Sequence, residues 1–164
     1  MGISYFAGTG TTGTPTVGGA ATSSALAAPH GVAVDKNNVV YIADTENNTV
    51  EVVSTGGILT IFAGTGIAGL PTAGAATSSK LNLPNSVSIG SNGNIYIADT
   101  FNNVIEQVTA GTLSIYAGSA GSAGAPSSGL AINSLLSHPY GVAVYGSGSV
   151  YIADTANEVI EKIN

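Results

Sequence analysis

Three aspartates, Asp44, Asp99 and Asp154, stand 55 residues apart, and carboxylates at matching places around a ring could gather a cation. Each follows a Tyr-Ile-Ala tripeptide opened by Tyr41, Tyr96 or Tyr151, and each precedes a threonine and an Asn-containing turn. Asx side chains in that setting hydrogen-bond the neighbouring backbone and tolerate left-handed dihedrals. The favoured reading is therefore that Asp44, Asp99 and Asp154 fix turns, together with Asn48 and Asn103 and with Asn47, Asn102 and Asn157. No metal site is assigned to them, and the three tyrosines are expected to pack in the interior.

A second set occupies one matching position with three different residues. Immediately after Pro29, Pro84 and Pro139 come His30, Asn85 and Tyr140. A repeat that keeps its scaffold and varies one polar residue near a rim is expected to present a ligand contact set there. His30, Asn85 and Tyr140 are the candidate ligand-binding residues, for a small polar ligand or a protein; the plainer reading of His30 is a surface histidine with no partner. His138 has no counterpart, since Ala28 and Leu83 stand in its place. With two histidines and no cysteine, no Ser-His-Asp order and no paired-carboxylate spacing can be built, so no catalytic residue and no cofactor is assigned.

The elements that must position these residues repeat with the same period. Each proline opens a short alternating run, and turns follow at Lys36-Asn37-Asn38, Ser91-Asn92-Gly93 and Gly146-Ser147-Gly148, residue types that close tight hairpins. A second run ends at the aspartate, a third follows the Asn turn, and a fourth stands at 58–63 and 113–117. The third unit ends without a fourth run. Residues 3–7, which begin at Ile3 and include Tyr5 and Ala7, match that fourth run instead. Long Gly, Ala, Ser and Thr segments join one unit to the next, yet they keep Leu26, Leu81 and Leu136 in register. Ordered loops whose leucines plug between units are expected, not disordered spacers.

Composition narrows the classes. The chain has 164 residues, 44% hydrophobic and 7% charged, with a net charge of −6 and three cations, Lys36, Lys80 and Lys162. Without arginine or clustered lysine, a nucleic-acid site is not expected. No apolar run approaches the roughly 18 residues of a membrane helix, and no signal peptide is evident, so no membrane partner is expected. Disulfides are excluded by the absence of cysteine. The compartment stays open, although the Gly, Ser, Thr and Ala content suits a secreted or bacterial cell-surface origin.

Pro-x-Gly-Val-Ala-Val, the Asn/Gly turn, Tyr-Ile-Ala-Asp-Thr, the x-Asn-Asn-x-Val/Ile stretch and the closing Phe/Tyr-Ala-Gly together make the chain resemble NHL-repeat proteins over nearly its whole length. The resemblance implies an all-β fold of four-stranded propeller blades, commonly six to a ring. Where family members commonly carry a basic residue after the Asn pair, this chain has Thr49, Val104 and Val159, which removes the positive face used by RNA-binding relatives. Some lyases on this fold hold zinc with channel histidines, and His30 is the residue that could take that place.

The expected organisation is one repeat domain over 1–164: blade 1 over 29–63, blade 2 over 84–117, and blade 3 over 139–164 without its outer strand. Propellers need roughly four to eight blades to close, so three blades are expected to be half of a six-bladed propeller completed by homodimerisation; the competing readings are an open three-blade fragment of a longer protein and a monomer that closes its own strand. Residues 3–7 are expected to complete the last blade of the partner by strand exchange. The function expected is that of a non-enzymatic scaffold or recognition module. The alternatives are a metal-dependent lyase or hydrolase with a site in the channel, and an isolated or engineered half-propeller with no ligand.

Overall fold

Short alternating runs separated by Asn and Gly turns fold into antiparallel sheets, and the computed structural model places them in three, describing residues 2–146 and 148–164. The first sheet has the order β1-β2-β3-β4, from Pro29–Val34, Val40–Asp44, Thr49–Val53 and Leu59–Ala63. The second comprises β6 (Pro84–Ile89), β7 (Ile95–Asp99), β8 (Val104–Thr109) and β9 (Thr112–Gly118), with a two-residue strand β5 (Gly74–Ala75) added outside β9. The third is β10 (Pro139–Tyr145), β11 (Ser149–Asp154) and β12 (Val159–Ile163). The protein is thus all-β, with sheets of three to five strands. The turn read at Gly146-Ser147-Gly148 depends partly on Ser147, which lies outside the described residues.

The hairpin between β1 and β2 shows why those turn residues are needed. The Asp35 carboxylate accepts from the Asn37 and Val39 amides, both at 2.8 Å. Asn38 then turns the chain at φ 62°, a left-handed conformation that asparagine tolerates.

Apolar faces are buried between sheets, not within one core. One cluster joins Val50 and Ala63 of the first sheet to Val87, Ile95, Ile97 and Leu113 of the second, with Leu81 among them. Another joins Ala98, Ile105 and Ala117 to Val142, Val150 and Ile152, with Leu136 among them. Matching positions measure what a neighbour does. Val87 and Val142 are 5% and 7% exposed, whereas Val32, with no sheet before it among the described residues, is 67% exposed. On the other side Val50 and Ile105 are fully buried while Ile160 is 71% exposed.

The glycine-rich segments are ordered by backbone pairing. Parallel bridges Thr12 to Leu26, Ala68 to Leu81 and Ala123 to Leu136 recur, and the amides of Gly13, Gly69 and Gly124 donate to those leucine carbonyls at 3.2 Å. Ser24, Ser79 and Ser134 then accept from Thr16, Thr72 and Ser127. Each segment delivers the chain to its inner strand through a left-handed residue, Ala28, Leu83 or His138, at φ 48°, 51° and 48°. Residues 3–7 enter no sheet within the single chain; Ile3 and Tyr5 are exposed, and Ala7 packs on the cluster of Val40, Ile42, Val53 and Leu59.

Candidate functional site

Two groups of polar side chains stand out, one buried under the loops and one at the rim of the inner strands. In the buried group, Asp44, Asp99 and Asp154 are each fully enclosed. One carboxylate oxygen accepts from a loop amide, Ala27, Asn82 or Ser137, at 2.6–2.7 Å. The other accepts from the amide group of Asn47, Asn102 or Asn157 at 2.6 Å. The same asparagines donate to the carbonyls of Gly13, Gly69 and Gly124. Each aspartate therefore ties the end of a second strand to the loop that crosses it.

The aspartates have companions that carry no local turn signal in the sequence. Glu51, Glu106 and Glu161 also recur at 55-residue spacing, and each turns inward from its third strand toward the aspartate. Burial raises Glu51 to about 8, with the Asp44 charge adding to it; burial, the main cause, and the Asp99 charge hold Glu106 well above its ordinary range. Burial and Asp154 lift Glu161 to about 7. Both carboxyl oxygens of Glu106 lack a protein donor. Burial also raises Asp99 to about 7, against the donors Asn102 and Asn82, so the two carboxyls share a proton, and a neutral Glu106 can donate it toward Asp99. The signal available was their 55-residue spacing.

Asn48 and Asn103 sit at left-handed positions, φ 55° and 58°, and reach into the next sheet. The Asn48 side-chain oxygen accepts from the Leu83 amide at 3.0 Å, and that of Asn103 from His138 at 2.9 Å. Beside them the hydroxyls of Thr45 and Thr100 donate to the carbonyls of Pro84 and Pro139, both at 2.8 Å. Glu158 and Thr155 hold the matching places after β11.

At the rim, the structure brings His30 and Asn85 together: the His30 Nδ1 and Asn85 Oδ1 lie 2.5 Å apart. Asn85 is buried, and its amide nitrogen donates to the Leu83 carbonyl and the Thr100 hydroxyl. It therefore orients His30 and offers little surface of its own. Tyr140, on β10, is 46% exposed and has no hydrogen bond to the other two. The His138 ring packs edge-on to Phe101 with ring centres 5.1 Å apart. Among the described residues no three His, Asp or Glu side chains are gathered to hold a metal ion.

The model of the NHL repeat matches residues 26–53. NHL repeat-containing protein 2 of Homo sapiens is 38% identical over 93 residues, 55% of this chain and 13% of that protein, so the chain spans a small part of that curated relative. An auxiliary nutrient binding protein from Bacteroides thetaiotaomicron aligns with a TM-score of 0.69 at 20% identity, over 81% of this chain and 36% of its own. Virginiamycin B lyase from Staphylococcus aureus aligns with a TM-score of 0.52 at 18% identity, over 83% of this chain and 41% of its own. Those two likenesses show a shared fold and nothing about activity.

Proposed function

We propose that this NHL-repeat chain is a non-enzymatic recognition scaffold, which two copies complete as a six-bladed propeller with its contact surface at the mouth of the central channel. One observation carries the reading: on a frame repeated almost residue for residue, His30, Asn85 and Tyr140 differ at one rim position, and two of them remain exposed. Asn85 holds the His30 ring, so the imidazole and the Tyr140 phenol are the groups a ligand would meet. A net charge of −6 and the absence of arginine favour a neutral or cationic polar ligand over an anion. The two-copy ring accounts for the apolar faces left exposed at Val32 and Ile160, which a lone chain would carry as association-prone patches.

Light scattering over a dilution series tests the ring, with a mass near twice 16.0 kDa expected. Amide chemical-shift mapping of the assembled protein against neutral disaccharides and aliphatic diamines tests the mouth. Shifts are expected to cluster at residues 30, 85 and 140 and to vanish in the His30→Ala, Tyr140→Ala double variant. Shifts confined to the glycine-rich loops would overturn the rim assignment.

A further inference from the structure

The two joints inside the chain have the same parts, and these recur, with Glu158 in place of the asparagine, as unfilled halves at residues 3–32 and 151–163. From that complementarity we infer that these two regions form one docking site for a second copy of the chain, with residues 3–8 pairing antiparallel to β12 of the other copy in a defined register. The inference rests on the two-copy ring proposed above and deepens it to named contacts.

Gly64 and Gly118 show how an outer strand ends. Both have positive φ, 94° and 88°, and a Cβ on either would lie 2.4 Å from the carbonyl oxygen of Asn48 or Asn103. Only glycine fits so close an approach. Gly8 has the same conformation, φ 92°, yet meets only Leu26 at 3.5 Å. Its amide already donates to the Ala21 carbonyl at 3.0 Å, as that of Gly64 does to Ala76. Ala7 and Gly8 thus rest against the first sheet as the end of an outer strand does at the internal joints, while Ile3 and Tyr5 stand exposed with no strand to pair.

The observed ladders give the register. Val53 pairs with Leu59, Val52 with Thr60, Glu51 with Ile61 and Val50 with Ala63, and β8 pairs with β9 by the same scheme. Carried over by sequence match, Ile3 faces Ile163 of the second copy, Ser4 faces Lys162, Tyr5 faces Glu161 and Ala7 faces Ile160. Phe6 then falls against Tyr151, completing a pair seen twice already, Tyr41 with Phe62 and Tyr96 with Tyr116, each edge-to-face with centres 4.9 and 5.1 Å apart.

Polar halves match too. Thr155 and Glu158 stand where Thr45, Thr100, Asn48 and Asn103 serve the internal joints, and the Thr155 hydroxyl turns back to the Ala153 carbonyl. In the docked pair they reach the Pro29 carbonyl and the Ala28 amide of the second copy. Ala28 already has the left-handed φ of Leu83 and His138. An open groove of about 310 Å³, lined by Phe6, Ala7, Leu26, His30, Val32 and Ile42 among others, lies between residues 4–7 and the first sheet. Its apolar floor is the counterpart of the surfaces buried at the internal joints. Strand addition supplies backbone pairing, while the alternate pockets fix the register.

The chain has no cysteine, so engineered thiols report the register directly. Single variants Ser4→Cys and Lys162→Cys are mixed and oxidised. Facing residues on antiparallel strands are within disulfide reach, so a covalent species near twice 16.0 kDa containing one of each variant is expected. Ser4→Cys with Glu161→Cys, one residue out of register and on the opposite face, is expected to yield little. Glu158→Lys is expected to weaken association by about tenfold or more, with Glu158→Asn retaining it. A dimer by light scattering without the register-specific disulfide would overturn this docking site and leave two-copy assembly by another surface. A monomer at every concentration would overturn both the site and the two-copy ring.

Discussion

At the scale of single residues, the carboxyl pairs dominate the electrostatics. In the folded chain Glu106 is held neutral beside Asp99 well above its ordinary value of 4.5, whereas in the unfolded chain it ionises normally. The folded state therefore binds the extra proton. Its contribution is fully present below about pH 4.5 and is lost as pH rises toward the folded-state value, with a limiting slope of about 1.4 kcal/mol per pH unit for each such carboxyl. The melting temperature is expected to be higher near pH 5 than near pH 9 over the range in which Glu51, raised to about 8, also titrates. Glu106→Gln keeps a neutral donor for Asp99, and thermal melts across that range are expected to show a shallower pH dependence. An unchanged slope would mean that Glu106 is ionised in the folded chain. The expectation that the aspartates fix the turns they precede is corrected: they make no cap bond to those turns, and their backbone donors are the loop amides of Ala27, Asn82 and Ser137, 17 residues upstream. The glutamates were not legible in the sequence, because their burial depends on a loop that crosses from distant residues such as Gly69 and Asn82.

At the scale of elements, the leucines of the glycine-rich segments lock the sheets to one another. Leu81 is fully buried between the first and second sheets, and Leu81→Ala is expected to cost about 2–5 kcal/mol through lost contacts and a residual cavity. Leu26→Ala is expected to cost less in the single chain, because Leu26 is only partly buried there. Chemical denaturation of the two variants at concentrations where the chain is monomeric measures the difference; a Leu26→Ala loss that grows toward that of Leu81→Ala as concentration rises would mark a second copy covering Leu26 as the second sheet covers Leu81. Much of this level could be read in the sequence: the three in-register leucines marked ordered loops, and the period marked strands. The two-residue β5 could not, since Gly74 and Ala75 carry no strand preference and their pairing with β9 depends on how the loop lies.

At the scale of the whole molecule, folding and association are one process in the proposed ring. The midpoint of urea unfolding is expected to rise with protein concentration, because mass action favours the assembled state; a midpoint independent of concentration would mark the three sheets as a self-sufficient unit. Ala28, Leu83 and His138 hold the same left-handed conformation with three unrelated side chains, and for Leu83 and His138 an asparagine of the preceding unit receives the amide. The conformation belongs to the joint and not to the residue. Such a position accepts unlike side chains provided they tolerate a left-handed backbone, so the units differ there without changing how they stack.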